Sequence, residues 1–214
     1  TNASGTMTKD TIEVIYYYKL KATSVLVHHY KENTTEKLSN DVTINGKVGE
    51  SYTTQVATDI PQNYELVATP SNATGTMAED QIVVIYYYRL KTPSVTNNIT
   101  KTGTDRITVA NQEMSYTVTY TANVTDYIGN AEVTIVDTLP YEIDEAKSDL
   151  AGGTYDSASK TITWKENVSN IDSYNGNGTV NVTKTFKVVY VGLDMNQEKV
   201  VNNVKGNIKL LTPE

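Results

Sequence analysis

Residues 131–138 read AEVTIVDT, an alternation of apolar and polar positions that predicts a strand. Residues two apart share a strand face, so Ala131, Val133, Ile135 and Asp137 point one way and Glu132, Thr134, Val136 and Thr138 the other. The same period runs through 114–124, where Tyr116, Val118, Tyr120, Ala122 and Val124 share a face, and through 153–155, 161–164, 179–190 and 199–210. Polar turns such as 156–159 separate these runs. Short alternating strands punctuated in this way predict a β-sandwich over 92–214. Segment 142–152 is expected to include a helical turn.

The N-terminal part has a different texture. Strands are predicted at 24–30, at 41–44 ahead of an Asn45-Gly46 turn, and at 64–69, with a short helix within 51–59 before Pro61. The closing strand, 81–90, puts Ile82, Val84, Tyr86, Tyr88 and Leu90 on one face. Residues 2–25 match 72–95 at a constant offset of 70, with 16 of 24 positions identical. Repetition at a single period marks a modular array, so 1–21 is expected to be the tail of a preceding repeat and 22–91 one complete module. Parity sends Tyr16, Tyr18, Tyr86 and Tyr88 to the core. It leaves Tyr17 and Tyr87 outward as candidate ligand contacts.

Composition narrows the function. Sixteen Tyr beside one Trp and one Phe, in a chain rich in Thr, Val and Asn, favour strands and turns. A net charge of -7 with no basic block argues against a nucleic-acid surface or an anionic-membrane patch. No apolar run approaches the ~20 residues of a spanning helix. The absence of a signal peptide is expected of a cytosolic protein or of an excised piece of a longer one. Zero cysteine removes disulfides and leaves the β architecture to be braced by other means. His28 and His29 fall on opposite strand faces and cannot chelate one ion. Glu142, Asp144, Glu145 and Asp149 lack the ordering of a calcium loop. No metal or cofactor is expected.

Three polar residues sit on apolar faces. Lys101 shares a face with Val95 and Ile99, Asp137 with Val133 and Ile135, and Asn202 with Val200, Val204 and Ile208. These are the side chains an intramolecular isopeptide bond requires. A buried lysine is pushed toward the nucleophilic neutral amine, an asparagine offers a carbonyl and loses ammonia, and a protonated aspartate polarises that carbonyl and relays the proton. The reaction occurs once per molecule, as maturation and not turnover. A structural Lys–Asp ion pair with a hydrogen-bonded Asn accounts for the same three positions, and both readings stand at this point. Asn203 is a second acceptor candidate on a polar face. Lys184, facing with Val182, Phe186 and Val188, is a rival lysine expected near a sheet edge with its amine in solvent.

Two resemblances sharpen these expectations. The pieces GKVGESY at 46–52, YEL at 64–66, NATGTM at 72–77 and VIYYY at 84–88 resemble the MucBP repeat of Gram-positive surface proteins. That resemblance implies a β-grasp-like module and a place in a cell-wall-anchored adhesin. The segments ITKTG at 99–103, VDTLP at 136–140 and VNNV at 201–204 resemble the isopeptide-forming Ig-like sandwich domains of Gram-positive adhesins and pilins. Together they imply an adhesive fragment, monomeric within a longer chain on the bacterial surface, with host mucin or glycan as partner and a Lys101–Asn202 crosslink catalysed by Asp137. A non-binding spacer stalk and an accessory module of a wall-active hydrolase are the alternatives. Against the latter, the sequence shows no defensible catalytic constellation.

Overall fold

The computed structural model describes residues 4–6, 11, 13–192 and 199–211. The chain is mainly β and divides into two compact units, Thr1–Leu90 and Lys91–Glu214. Among the described residues no helix is long and apolar enough to cross a membrane.

In the first unit, strands β1 (Ala22–Lys31), β2 (Lys37–Lys47), β4 (Tyr64–Leu66) and β6 (Ile82–Leu90) form a mixed sheet of order β2-β1-β6-β4, while β3 (Ser51–Thr53) pairs with β5 (Thr74–Thr76). The first and last strands lie parallel at the centre, from Val25 opposite Ile82 to Lys31 opposite Tyr88, as in a β-grasp sheet. Alternation explains which face is buried. Val25 and Val27 on β1 and Val84, Tyr86 and Tyr88 on β6 pack against Tyr52, Ala73 and Met77.

Two local expectations fail for physical reasons. The helix foreseen within 51–59 is absent: Tyr52 on β3 is buried, and the Thr54 hydroxyl meets the Ala73 carbonyl at 2.9 Å and the Tyr86 hydroxyl at 2.8 Å, tying down the extended chain. Asn45-Gly46 is not a turn but part of β2, where Gly46 pairs with Thr23. A Cβ on Gly46 would lie 2.5 Å from the Met77 sulfur, so this glycine serves a close packing approach. The chain reverses after Lys47, at Gly49, with φ +89°.

The tyrosine triplets behave differently from each other. Tyr86 and Tyr88 are in the core, and Tyr87 is 39% exposed. Tyr16 and Tyr18, expected inside, are 61% and 89% exposed, beside Tyr17 at 90%. Parity buries a side chain only where neighbouring strands cover it, and no strand pairs with 13–20 among the described residues. The rest of that repeat tail, residues 1–3, 7–10 and 12, lies outside the described residues.

The second unit stacks two sheets. Strands β7 (Ser94–Gly103), β8 (Glu113–Thr125) and β12 (Thr179–Val189) form one, in the order β12-β8-β7. Strands β9 (Ile128–Thr138), β10 (Thr154–Asp156), β11 (Thr161–Asp172) and β13 (Asn203–Leu210) form the other, in the order β10-β11-β9-β13. The inward alternations of β8 and β9 meet in one core with Ile162, Trp164 and Phe186. Segment 142–152 contains a single 3-10 turn, Glu145–Lys147. Gly206 on β13 lets the strand lie against the Tyr120 ring and Ile99, drawing the last strand toward the first. The Tyr127 hydroxyl, bonded to the carbonyls of Asn130 and Leu211 at 2.5 Å each, ties down the far end of β13.

Candidate crosslinking site

Asp137 is the next-to-last residue of β9, flanked in register by Ile162 on β11 and Val204 on β13. Its alternation with Val133 and Ile135 holds the carboxylate inward, and the residue is wholly buried. One carboxylate oxygen takes the Lys101 amine in a short ion pair; the other finds no hydrogen-bond partner among the described residues. Lys101 comes from β7, in the opposite sheet, opposite Val118. Its amine lies 4.2 Å from the centroid of the Tyr116 ring and 5.1 Å from that of Phe186. Trp164 backs Phe186 at 5.0 Å, its indole N–H donating to the Leu150 carbonyl.

This apolar setting acts on both partners in the same sense, toward neutrality. Burial lowers the Lys101 amine from the ordinary lysine range, against the opposing pull of Asp137. Burial likewise raises the Asp137 carboxyl, against Lys101. The buried hydroxyls of Tyr116 and Tyr190 adjoin one another outside hydrogen-bond geometry. Burial raises both phenols above the ordinary tyrosine range, so they remain neutral.

Asn202 immediately precedes β13, two residues before Val204 and so on the same face as that partner of Asp137. The residue is half-buried, and its amide nitrogen is buried without a hydrogen-bond partner among the described residues. Lys101 and Asn202 line one cleft of about 280 Å³, with Thr102, Tyr116 and Val200 among its walls. Asn203 is exposed, opposite Thr138. The structure thus gathers Lys101 and Asp137 into direct contact, in surroundings that favour the neutral amine and the protonated acid, and sets the Asn202 carboxamide at the cleft that Lys101 also lines.

Lys184 departs from expectation. It does lie on edge strand β12, yet its amine forms a short ion pair with Glu166 of β11, and its side chain is only 17% exposed. Val118 separates it in register from Lys101, so both lysines reach across the sandwich to carboxylates. The aromatic surround of Lys101 went unforeseen. Parity placed Tyr116 and Phe186 inward, but their convergence depends on the Tyr116–Phe186 register of β8 and β12, which no local pattern encodes.

In the first unit, Tyr87 joins Glu32, Asn33, Thr34, Thr35 and Val67 around an open cleft of about 600 Å³. The buried His29 stacks on Tyr86 at 5.2 Å and bonds the Tyr88 hydroxyl through Nδ1 at 2.9 Å. His28, on the other face, pairs with Asp41 at 2.8 Å.

Residues 24–89 match the MucBP domain family. Internalin J of Listeria monocytogenes serovar 1/2a is 34% identical over 91 residues, covering 41% of this chain and 10% of that protein. Internalin J of Listeria monocytogenes serotype 4b is 36% identical over 94 residues, again covering 41% and 10%. A solved structure of the major pilin subunit of Bacillus cereus is similar at 10% identity over 89% of this chain and 69% of that one, with a TM-score of 0.29. The chain spans 10% of the length of each internalin, and the segment that matches the MucBP domain family lies within its first unit.

Proposed function

We propose that this chain is a segment of a Gram-positive cell-surface adhesin, with a MucBP module for contact with mucin glycans and an Ig-like sandwich braced by a Lys101–Asn202 isopeptide bond. The observation that carries the bond is the burial of Asp137 against Lys101 beside the cleft that Asn202 also lines. Proton transfer within the ion pair gives a neutral amine and a protonated acid. The Lys101 nitrogen attacks the Asn202 side-chain carbonyl carbon, which the Asp137 acid polarises. Asp137 takes the proton from the attacking nitrogen and delivers one to the departing amide nitrogen. A C–N bond forms, a C–N bond breaks and ammonia leaves, with no change of oxidation state. Proximity in a folded core supplies the effective concentration, and the event happens once per molecule.

Intact mass spectrometry tests this reading. A deficit of one ammonia in the mature chain, absent from Asp137→Ala, supports it; full mass in the mature chain overturns it. A non-binding spacer stalk is the second reading, favoured by the acidic net charge of -7, which works against anionic glycans. Mucin binding by the isolated chain separates stalk from adhesin.

A further inference from the structure

The crosslink would carry tension through the second unit along β7, the bond and β13, bypassing the chain between Lys101 and Asn202. Among the described residues the first unit shows no equivalent device: its buried polar residues there are His29 and Thr54. Its resistance to pulling must come from the order of its strands. The chain enters at Ala22, the start of β1, and leaves at Leu90, the end of β6. These two strands are direct neighbours and run parallel, with seven residue pairs in uninterrupted register from Val25–Ile82 to Lys31–Tyr88. Entry and exit therefore lie at opposite ends of one hydrogen-bonded ladder.

We propose that the β1–β6 pair is a shear clamp that makes the first unit a force-bearing element of the chain. Tension applied along the backbone slides the two strands past each other and strains every ladder bond at once; pulling from a shared end would break them one by one. Side chains cross the same seam. Gln81 donates to the Ser24 hydroxyl at 2.8 Å near the entry end, and His29 and Tyr88 are bonded at 2.9 Å near the other. β2 and β4 flank β1 and β6 on their outer sides, so neither strand peels freely. The upstream repeat segment fits this path. Val14 to Leu20 carry the side chains of 84–90 apart from Lys19 in place of Arg89, and one residue, Lys21, joins them to β1. The Lys21 carbonyl is anchored by the Val48 amide at 3.0 Å. Tension from a preceding repeat would pass straight into the clamp.

The inference rests on the reading of the chain as a surface segment under tension, and its test is independent of the crosslink. The chain has no cysteine, so introduced cysteines define the pulling points in single-molecule force spectroscopy of the full chain. Ala22→Cys with Leu90→Cys loads the ladder in shear, and Lys31→Cys with Leu90→Cys loads it from one end. Unfolding under force is governed by the barrier along the pulled direction. A several-fold higher rupture force for the first pair supports the clamp. Equal forces, or a lower force in shear, overturn it. Both pulling points lie in the first unit, so the comparison holds equally in an Asn202→Ala background, and a crosslink that fails to form leaves it intact.

Discussion

Lys101 and Asp137 meet from opposite sheets of the sandwich, the carboxylate wholly buried and the lysine side chain 11% exposed. Removing one partner is therefore a different experiment from removing the acceptor. Asn202→Ala keeps the pair and deletes only the proposed bond, whose closure of a loop of roughly 100 residues is worth about 5 kcal/mol in the chain-entropy model. Lys101→Ala also strands a buried carboxyl, a loss that typically adds a few kcal/mol. Both variants are expected at full mass, with Lys101→Ala melting below Asn202→Ala in denaturant titration. Equal stability of Asn202→Ala and the parent would show that no crosslink braces the sandwich.

Gly206 controls how closely the last strand approaches the first. A side chain there meets the Tyr120 ring, with the Ile99 methyl 3.1 Å away, and the rigid ring has no free end to swing aside. Gly206→Val is expected to push β13 off the β7–β8 sheet and carry Asn202 away from Lys101. The ammonia loss should then become incomplete or slow. Mass spectra collected over hours after synthesis report this directly, and a full, immediate deficit would show that the approach of β13 is not limiting.

Much of the candidate site was legible because strand parity is a local property. The inward turn of Asp137, Lys101 and Asn202 follows from residues two positions away. Parity says nothing about which strands become neighbours, so the meeting of Lys101 with Asp137, the Tyr116–Phe186 surround and the Lys184–Glu166 pair depend on sheet order and register. Composition misled at Asn45-Gly46, where a turn-like dipeptide lies inside β2 because Met77 needs the space above Gly46. Repetition misled at Tyr16 and Tyr18, whose sequence matches buried residues but whose covering strands are absent among the described residues.

His29 gives the first unit an acid sensitivity of definite sign. Burial holds its imidazole below the ordinary histidine range, against raising influences from Asp59 and Asp41, with a further lowering from His28. The unfolded chain, with a pKa near 6.5, binds more protons in the interval between the two values, so stability rises with pH there. The His29 contribution is fully present above about pH 6.5 and falls as the pH drops from there through the folded pKa. Carboxylates such as Asp41, held low by Lys37 and His28, titrate further down and act only in stronger acid. Hydrogen exchange of the β1 amides should accelerate as the pH is lowered below about 6.5, after correction for intrinsic rates. His29→Phe should flatten that dependence; an unchanged slope would assign it elsewhere.

Tyr87 and Tyr17 occupy equivalent repeat positions but different surroundings, which makes them a matched pair for testing adhesion. Tyr87 borders a cleft of about 600 Å³ with a carboxylate, a carboxamide and hydroxyls around it, within the size range of ligand pockets. Tyr17 instead stands 90% exposed. Tyr87→Ala is expected to weaken mucin binding roughly tenfold, the loss of about 1.4 kcal/mol of aromatic contact, while Tyr17→Ala leaves it unchanged. The net charge of -7 repels anionic glycans, and salt screens that repulsion. Binding carried by the cleft should therefore hold or strengthen between low and physiological ionic strength in surface plasmon resonance. Binding that collapses with salt, or that survives Tyr87→Ala, would point to a contact elsewhere on the module.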